Sequence, residues 1–181
     1  WTSSLPSFDS FKYLDFSDTT GLVLVHTSGI TSNMIYVTNT SSAYAGNVYR
    51  TKAARYDRNF SFNWVFECSG GNGGADGFCV QWTTTNNTYG AQGGNVGAIL
   101  SSSTINTFQF QTYTNNRIYW LHNSSPQSYQ SFVGISIRQN VYYWMDYNYN
   151  TSTMYISYAT TNTKPGSPQH TLSLIHISEP T

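Results

Sequence analysis

The stretch from Phe60 to Trp82 decides the fold, because it contains two runs of alternating large apolar residues, FSFNWVF at 60–66 and GFCVQW at 77–82. In the first run every second residue is aromatic, and in the second Phe78, Val80 and Trp82 alternate with other residues. Successive side chains of a strand point to opposite faces, so this alternation predicts two strands that each bury one face. The glycine-rich loop between the runs predicts that these strands pair as an antiparallel hairpin.

Runs with the same alternation recur along the chain and are separated by turn-rich sequence. Further runs rich in β-branched and aromatic residues predict strands at 21–25, 107–113, 132–138, 141–147 and 154–158. Segments rich in Gly, Asn, Ser and Pro predict turns at 69–74, 83–95, 123–128 and 148–152. No stretch has the pattern of a capped helix, so the sequence predicts one all-β domain, an antiparallel β-sandwich. We expect it to cover residues 1–163, with a tail at 164–181 that is either a further strand or a non-native extension.

The composition excludes several classes of protein. Eight Lys and Arg balance eight Asp and Glu, so charged residues make up 9% of the chain, whereas about a quarter is usual in soluble domains. Nucleic acid is not an expected partner, because phosphate binding needs clustered cations. Membrane insertion is not expected either, since no apolar run approaches the ~20 residues of a membrane-spanning helix. With 17% aromatic residues, the chain can bury a core, which disordered chains cannot.

Five N-x-S/T sequons stand near turn-like sequence and predict a secreted, N-glycosylated protein. Glycans would keep a nearly uncharged surface soluble. The candidate glycosylation sites are Asn39, Asn59, Asn86, Asn123 and Asn150.

The two cysteines flank the loop of the predicted hairpin. Cys68 and Cys79 would lie near its base on neighbouring strands. In a secreted protein this arrangement favours a disulfide that staples the loop carrying Asp76. The alternative is a pair of buried thiols.

Five motifs, in this order and spacing, resemble the legume-type, or L-type, lectin family. They are FSFNWVF at 60–66, GADGF at 74–78, GGNVGAI at 93–99, FQFQTYTN at 108–115 and FVGI at 132–135. Weaker agreement extends over roughly residues 8–158. The resemblance implies the concanavalin A-like jelly-roll sandwich and binding of carbohydrate.

The resemblance also implies which residues would bind a sugar. Asp76 matches the family's aspartate, whose carboxylate accepts hydrogen bonds from two adjacent hydroxyls; the alternative is an ordinary turn aspartate. Gly94 matches a loop glycine whose backbone N–H meets the sugar, where a side chain would block the approach. Asn115 matches the asparagine that contacts both calcium and sugar. An aromatic ring near these loops would stack on a sugar face, and the candidates are Tyr113, Tyr119 and Trp120.

Three positions depart from the family's metal site. Gln109 and Gln111 stand where the family has a glutamate and an aspartate, and Phe132 stands where it has a ligating histidine. Neutral amides are poor substitutes for carboxylates around hard cations, and phenylalanine cannot ligate. We therefore expect the Ca²⁺ or Mn²⁺ site to be lost. Hydrogen bonds from Gln109, Gln111 and Asn115 would then have to support the sugar site.

The sequence therefore predicts a secreted carbohydrate-binding domain without a tightly bound metal, with glycans as its partners. An enzyme is not expected, because glycosidases on this sandwich need two carboxylates, and the equivalent strand has Gln109 and Gln111. The alternative function is that of a structural subunit of an extracellular glycosylated filament or coat. Such a homo-oligomer would assemble by strand pairing, which needs no charge.

Overall fold

The computed structural model describes residues 16–32, 34–37, 45–51, 57–67, 76–83, 90, 96–100, 104–112, 117–122, 125–131 and 139–174. Every regular secondary-structure element within these residues is a β-strand, which confirms the all-β fold class. The same residues contain no helix that is long and apolar enough to cross a membrane.

The strands of this part of the chain form four antiparallel sheets. The first large sheet consists of β5 (Phe60–Phe66), β10 (Val141–Asn148), β11 (Thr153–Ala159) and β12 (His170–Ser173). Across this sheet the strands lie in the order β12-β11-β10-β5. The second large sheet consists of β6 (Gly77–Thr83), β7 (Thr104–Gln111), β8 (Arg117–His122) and β9 (Ser125–Ser131). Its strands lie in the order β6-β7-β8-β9. Two small sheets pair β1 (Leu22–His26) with β4 (Gly46–Arg50), and β2 (Gly29–Thr31) with β3 (Met34–Tyr36).

The two large sheets pack face to face around a core of aromatic rings. Within the sheets, Trp64 stacks on Tyr143 at 5.2 Å between ring centroids, and Phe78 stacks on Phe110 at 4.5 Å. Between the sheets, Phe66 stacks on Phe78 at 4.1 Å, and Trp64 meets Phe110 edge-on at 6.1 Å. Stacked and edge-on pairs are both favourable for the aromatic quadrupole. The aromatic face predicted for 60–66 is therefore the face that builds the core.

The predicted hairpin between the two aromatic runs is wrong, because β5 pairs with β10 and β6 pairs with β7 in the opposite sheet. Alternation shows that a strand buries one face, but it does not show whether the neighbouring run lies beside that strand or across the core.

The disulfide predicted between Cys68 and Cys79 is not supported. Cys79 is a free thiol, and Cys68 lies outside the described residues. Because side chains alternate along a strand, Cys79 lies on the face of β6 opposite Phe78 and points away from β5. The hairpin geometry that suggested the disulfide is therefore absent.

The strands predicted at 21–25, 60–66, 78–82, 107–113, 141–147 and 154–158 are confirmed, with small shifts of their ends. The run predicted at 132–138 lies outside the described residues. The turn predicted at 123–128 is wrong in part, since β9 begins at Ser125.

Residues 169–174 belong to the first sheet. β12 pairs with β11, and the Gln169 amide exchanges two hydrogen bonds of 3.1 Å with the backbone of Tyr158. Leu174 is fully buried, and its N–H donates to the Ser152 carbonyl at 2.6 Å. This part of the tail therefore closes one side of the core.

Candidate functional site

Asp76 lies directly before β6, where β6 meets the end of β7. Its carbonyl oxygen accepts a hydrogen bond of 2.9 Å from the N–H of Thr112. Thr112 precedes residues 113–116, which include Tyr113 and Asn115 and lie outside the described residues. Asp76 is therefore held beside the base of the segment that carries two other predicted sugar contacts.

Gly77 sets the backbone next to Asp76. Its φ of +133° is a conformation that residues with a side chain rarely adopt. A Cβ at this position would also collide with the carbonyl oxygen of Phe110 in β7. The step from Asp76 into β6 therefore requires glycine, and it packs directly on a residue of the core.

Asn47 in β4 holds together the two ends of the loop that contains Gly94. Its Oδ1 accepts from the N–H of Gly90 at 3.2 Å, and its Nδ2 donates to the carbonyl of Gly97 at 3.5 Å. Asn47 is only 8% exposed, so water competes little for these bonds. Gly94 itself lies outside the described residues. Sequence reasoning missed Asn47, because no local pattern reveals a contact across more than 40 positions.

The segment after this loop is attached to the second sheet. The N–H of Ile99 donates to Oε1 of Gln81 in β6 at 3.0 Å. Asp76 directly precedes the same strand, so the predicted sugar-binding aspartate and an anchor for the loop of Gly94 are joined through β6.

On the face of the second sheet that points away from the core, β6 and β7 carry neutral polar groups. Cys79 is directly paired with Gln109, so both lie on this face, and Gln109 is 5% exposed. Burial raises the pKa of the Cys79 thiol to about 12. Burial, together with the neighbouring Cys79, also raises the pKa of Tyr49 to about 12. Both groups therefore stay uncharged at physiological pH.

Gln111 lies on the same face and is directly paired with Arg117 of β8. The Arg117 guanidinium donates to the Tyr119 hydroxyl at 3.2 Å. A fixed cation beside a neutral amide repels a divalent ion instead of binding it. Gln109, Gln111 and Arg117 therefore do not fit the Ca²⁺ or Mn²⁺ that the resemblance implies; Phe132 lies outside the described residues. Sequence reasoning did not single out Arg117, because its position opposite Gln111 depends on strand pairing.

The aromatic candidates differ in their surroundings. Trp120 is 4% exposed, packs in the core and donates from Nε1 to Asn106 Oδ1 at 3.1 Å. It therefore cannot stack on a sugar. Tyr119 is half-buried on the opposite face, and Tyr113 lies outside the described residues.

Two of the five predicted glycosylation sites can be located. Asn59 precedes β5 and Asn150 lies in the turn between β10 and β11, and both are exposed. Asn39, Asn86 and Asn123 lie outside the described residues.

Comparison with known proteins identifies the fold. No protein-family model and no curated protein sequence matches the chain. Among solved structures, lectin I-B4 from Griffonia simplicifolia in its metal-free form is 14% identical, with 89% of this chain and 81% of that one covered and a TM-score of 0.69. Arcelin-5, a lectin-like defense protein from Phaseolus vulgaris, is 15% identical over 83% and 76% of the chains, also with a TM-score of 0.69. The exoplasmic/lumenal domain of VIP36, bound to Ca²⁺ and Man3GlcNAc, is 11% identical over 84% and 72%, with a TM-score of 0.65.

Proposed function

We propose that this chain, which has the L-type lectin fold, is a carbohydrate-binding domain that performs no chemistry. Its sugar would bind at the loops that carry Asp76, Gly94, Asn115 and Tyr113. The observation that carries the proposal is the position of Asp76, whose carbonyl is bonded to Thr112 at the base of the segment with Tyr113 and Asn115. Similarity to structures of lectins supports the same function.

In the proposed site, Asp76 accepts hydrogen bonds from two neighbouring hydroxyls of the sugar. A carboxylate suits this role because charge-assisted hydrogen bonds are about twice as strong as neutral ones. The loop of Gly94 is clamped at its base by Asn47 before the sugar arrives. Fixing the two ends of a loop in advance lowers part of the entropic cost of binding.

Replacing Asp76 with asparagine is expected to weaken sugar binding about 10- to 100-fold, because hydrogen bonds to a charged group contribute about 1.5–3 kcal/mol. A glycan array identifies the ligand, and titration calorimetry then measures both affinities. Asp57→Asn is the matched control. Phe60 contacts Trp82 and Phe66 contacts Phe78, so Asp57 lies at the end of the sandwich away from Asp76. A wild-type chain that binds no glycan, or an Asp76→Asn variant with unchanged affinity, would contradict the proposal.

We propose further that binding needs no divalent cation. The neutral amides of Gln109 and Gln111, and Arg117 opposite Gln111, support this. Adding EDTA is therefore expected to leave both the melting temperature and the glycan affinity unchanged. A bound metal stabilises the native state, so its removal would lower the melting temperature. A fall of several degrees that added Ca²⁺ or Mn²⁺ reverses would refute metal independence.

Secretion and N-glycosylation are part of the same proposal, and the exposure of Asn59 and Asn150 supports them. The alternative function as a subunit of an extracellular filament stays a prediction.

A further inference from the structure

A groove lies on the outer face of the first sheet, on the side away from the aromatic core and from the second sheet. It is a shallow, open depression with a volume of about 410 Å³. Ser61 of β5, Asp146 of β10 and Tyr155 of β11 are direct cross-strand neighbours and share this face. Asn59 and Asn148 complete its polar lining.

The carboxylate of Asp146 is held in a defined position. Oδ1 accepts from Ser61 Oγ at 2.7 Å, and Oδ2 accepts from Lys164 Nζ at 2.6 Å. Each carboxylate oxygen has two lone pairs, so both can accept a further hydrogen bond. The half-buried Tyr155 beside it offers an apolar ring and a hydroxyl. A fixed carboxylate, amides and an aromatic ring on one small surface suit the hydroxyls, N-acetyl group and apolar face of an amino sugar.

Asn59 both lines this groove and begins the sequon Asn59-Phe60-Ser61. Its Oδ1 accepts from the N–H of Tyr149 at 2.8 Å, which orients the carboxamide. The other polar atom of the Asn59 side chain is Nδ2, the atom to which an N-linked glycan is attached. Asn150, the other described sequon asparagine, is exposed in the adjacent turn but does not line the groove.

We propose that this groove is a saccharide site that seats the first N-acetylhexosamine of a glycan linked to Asn59 of the same chain. Asp146 accepts hydrogen bonds from the sugar, and the Tyr155 ring packs against it. Covalent attachment gives the sugar a high effective concentration, so weak contacts are enough to hold it. A free amino sugar has the same chemistry and is the other source to be tested. The proposal rests on the proposed N-glycosylation of Asn59, but it does not depend on Asp76 or on glycan binding there.

The test follows the release of each glycan from native protein made in a secretory host. An amidase that cleaves N-glycans is added, and site-resolved mass spectrometry gives the rates at Asn59 and Asn150. We expect the Asn59 glycan to be released at least about 5-fold more slowly, the effect of a contact of modest strength. Asp146→Asn should bring the two rates together. Asp18→Asn changes an exposed aspartate that does not line the groove and should keep the difference, and denatured protein should show none.

Binding of a free amino sugar is tested on the Asn59→Asp variant. The amidase leaves aspartate at this position, and aspartate keeps an acceptor for the N–H of Tyr149. Binding of N,N′-diacetylchitobiose to this variant is measured by titration, with and without Asp146→Asn. Binding that is lost with Asp146→Asn supports the sugar chemistry of the groove. Equal release rates in the wild type, slow release that persists in Asp146→Asn, or an Asn59 without glycan would each overturn the proposal. An Asp76→Asn variant should release both glycans at the wild-type rates. A failure of the sugar site at Asp76 can therefore be distinguished from a failure of the groove proposal.

Discussion

Phe110→Ala is expected to lower the free energy of unfolding by about 3–5 kcal/mol, the usual cost of deleting a buried phenylalanine ring. Phe110 is fully buried, stacks on Phe78 and meets both Trp64 and Tyr143 edge-on. The cavity would lie where the two large sheets meet, so partners on both sheets would lose contacts. Folded domains have only about 5–15 kcal/mol of stability. The expected loss is therefore a large fraction of the domain's total free energy of unfolding.

Urea and thermal unfolding measure this effect. For a domain of this length, 1 kcal/mol corresponds to a shift of about 2–4 °C in melting temperature. Tyr149→Ala is the matched control, because it deletes an aromatic ring that is 45% exposed. We expect a change within about 0.5 kcal/mol for this surface substitution. A similar loss in both variants would show that the aromatic core is not where the stability resides.

Gly77→Ala is expected to lower stability by at least about 2 kcal/mol and to abolish sugar binding together with it. The sparsely populated positive φ of +133° alone costs a residue with a side chain on the order of 1–3 kcal/mol. The new Cβ would also meet the Phe110 carbonyl, so the ladder between β6 and β7 would have to separate. Asp76, one residue earlier, would then move away from Thr112.

Glycan binding and thermal unfolding of the same variant test both effects. Gly166→Ala is the control, since a Cβ there meets nothing within 4 Å. We expect that variant to melt at or slightly above the wild-type temperature, because alanine has less freedom than glycine in the unfolded chain. A destabilised Gly77→Ala protein that keeps the wild-type glycan affinity would show that sugar binding does not depend on the backbone at the start of β6.

The fold class could be predicted because it depends on local patterns. A period of two in hydrophobicity is visible within one strand, and the aromatic face of 60–66 does form the core. Pairing is not local. The hairpin between β5 and β6 failed because the same buried face suits a neighbour in the sheet and a partner across the sandwich. The disulfide between Cys68 and Cys79 was derived from that pairing and is not supported.

The candidate site divides in the same way. Asp76 was singled out by the motif GADGF at 74–78, and a second motif, FQFQTYTN at 108–115, led to the two glutamines at 109 and 111. Asn47 and Arg117 were missed because their roles depend on contacts between strands. The groove at Asp146 was missed for the same reason, since Ser61 is 85 positions from the aspartate it holds.

The sequence by itself therefore determined six of the strands, the buried face of the aromatic ones, and which residues resemble a lectin site; it did not predict β2, β3, β4, β8 or β9. Those properties follow from side-chain alternation and from short motifs. Only the tertiary structure decided which strands are neighbours, that Arg117 stands opposite Gln111, and that Asn59 and Asp146 share a groove. Strand register determines these distances, and it is selected by packing of the whole core rather than by any one segment.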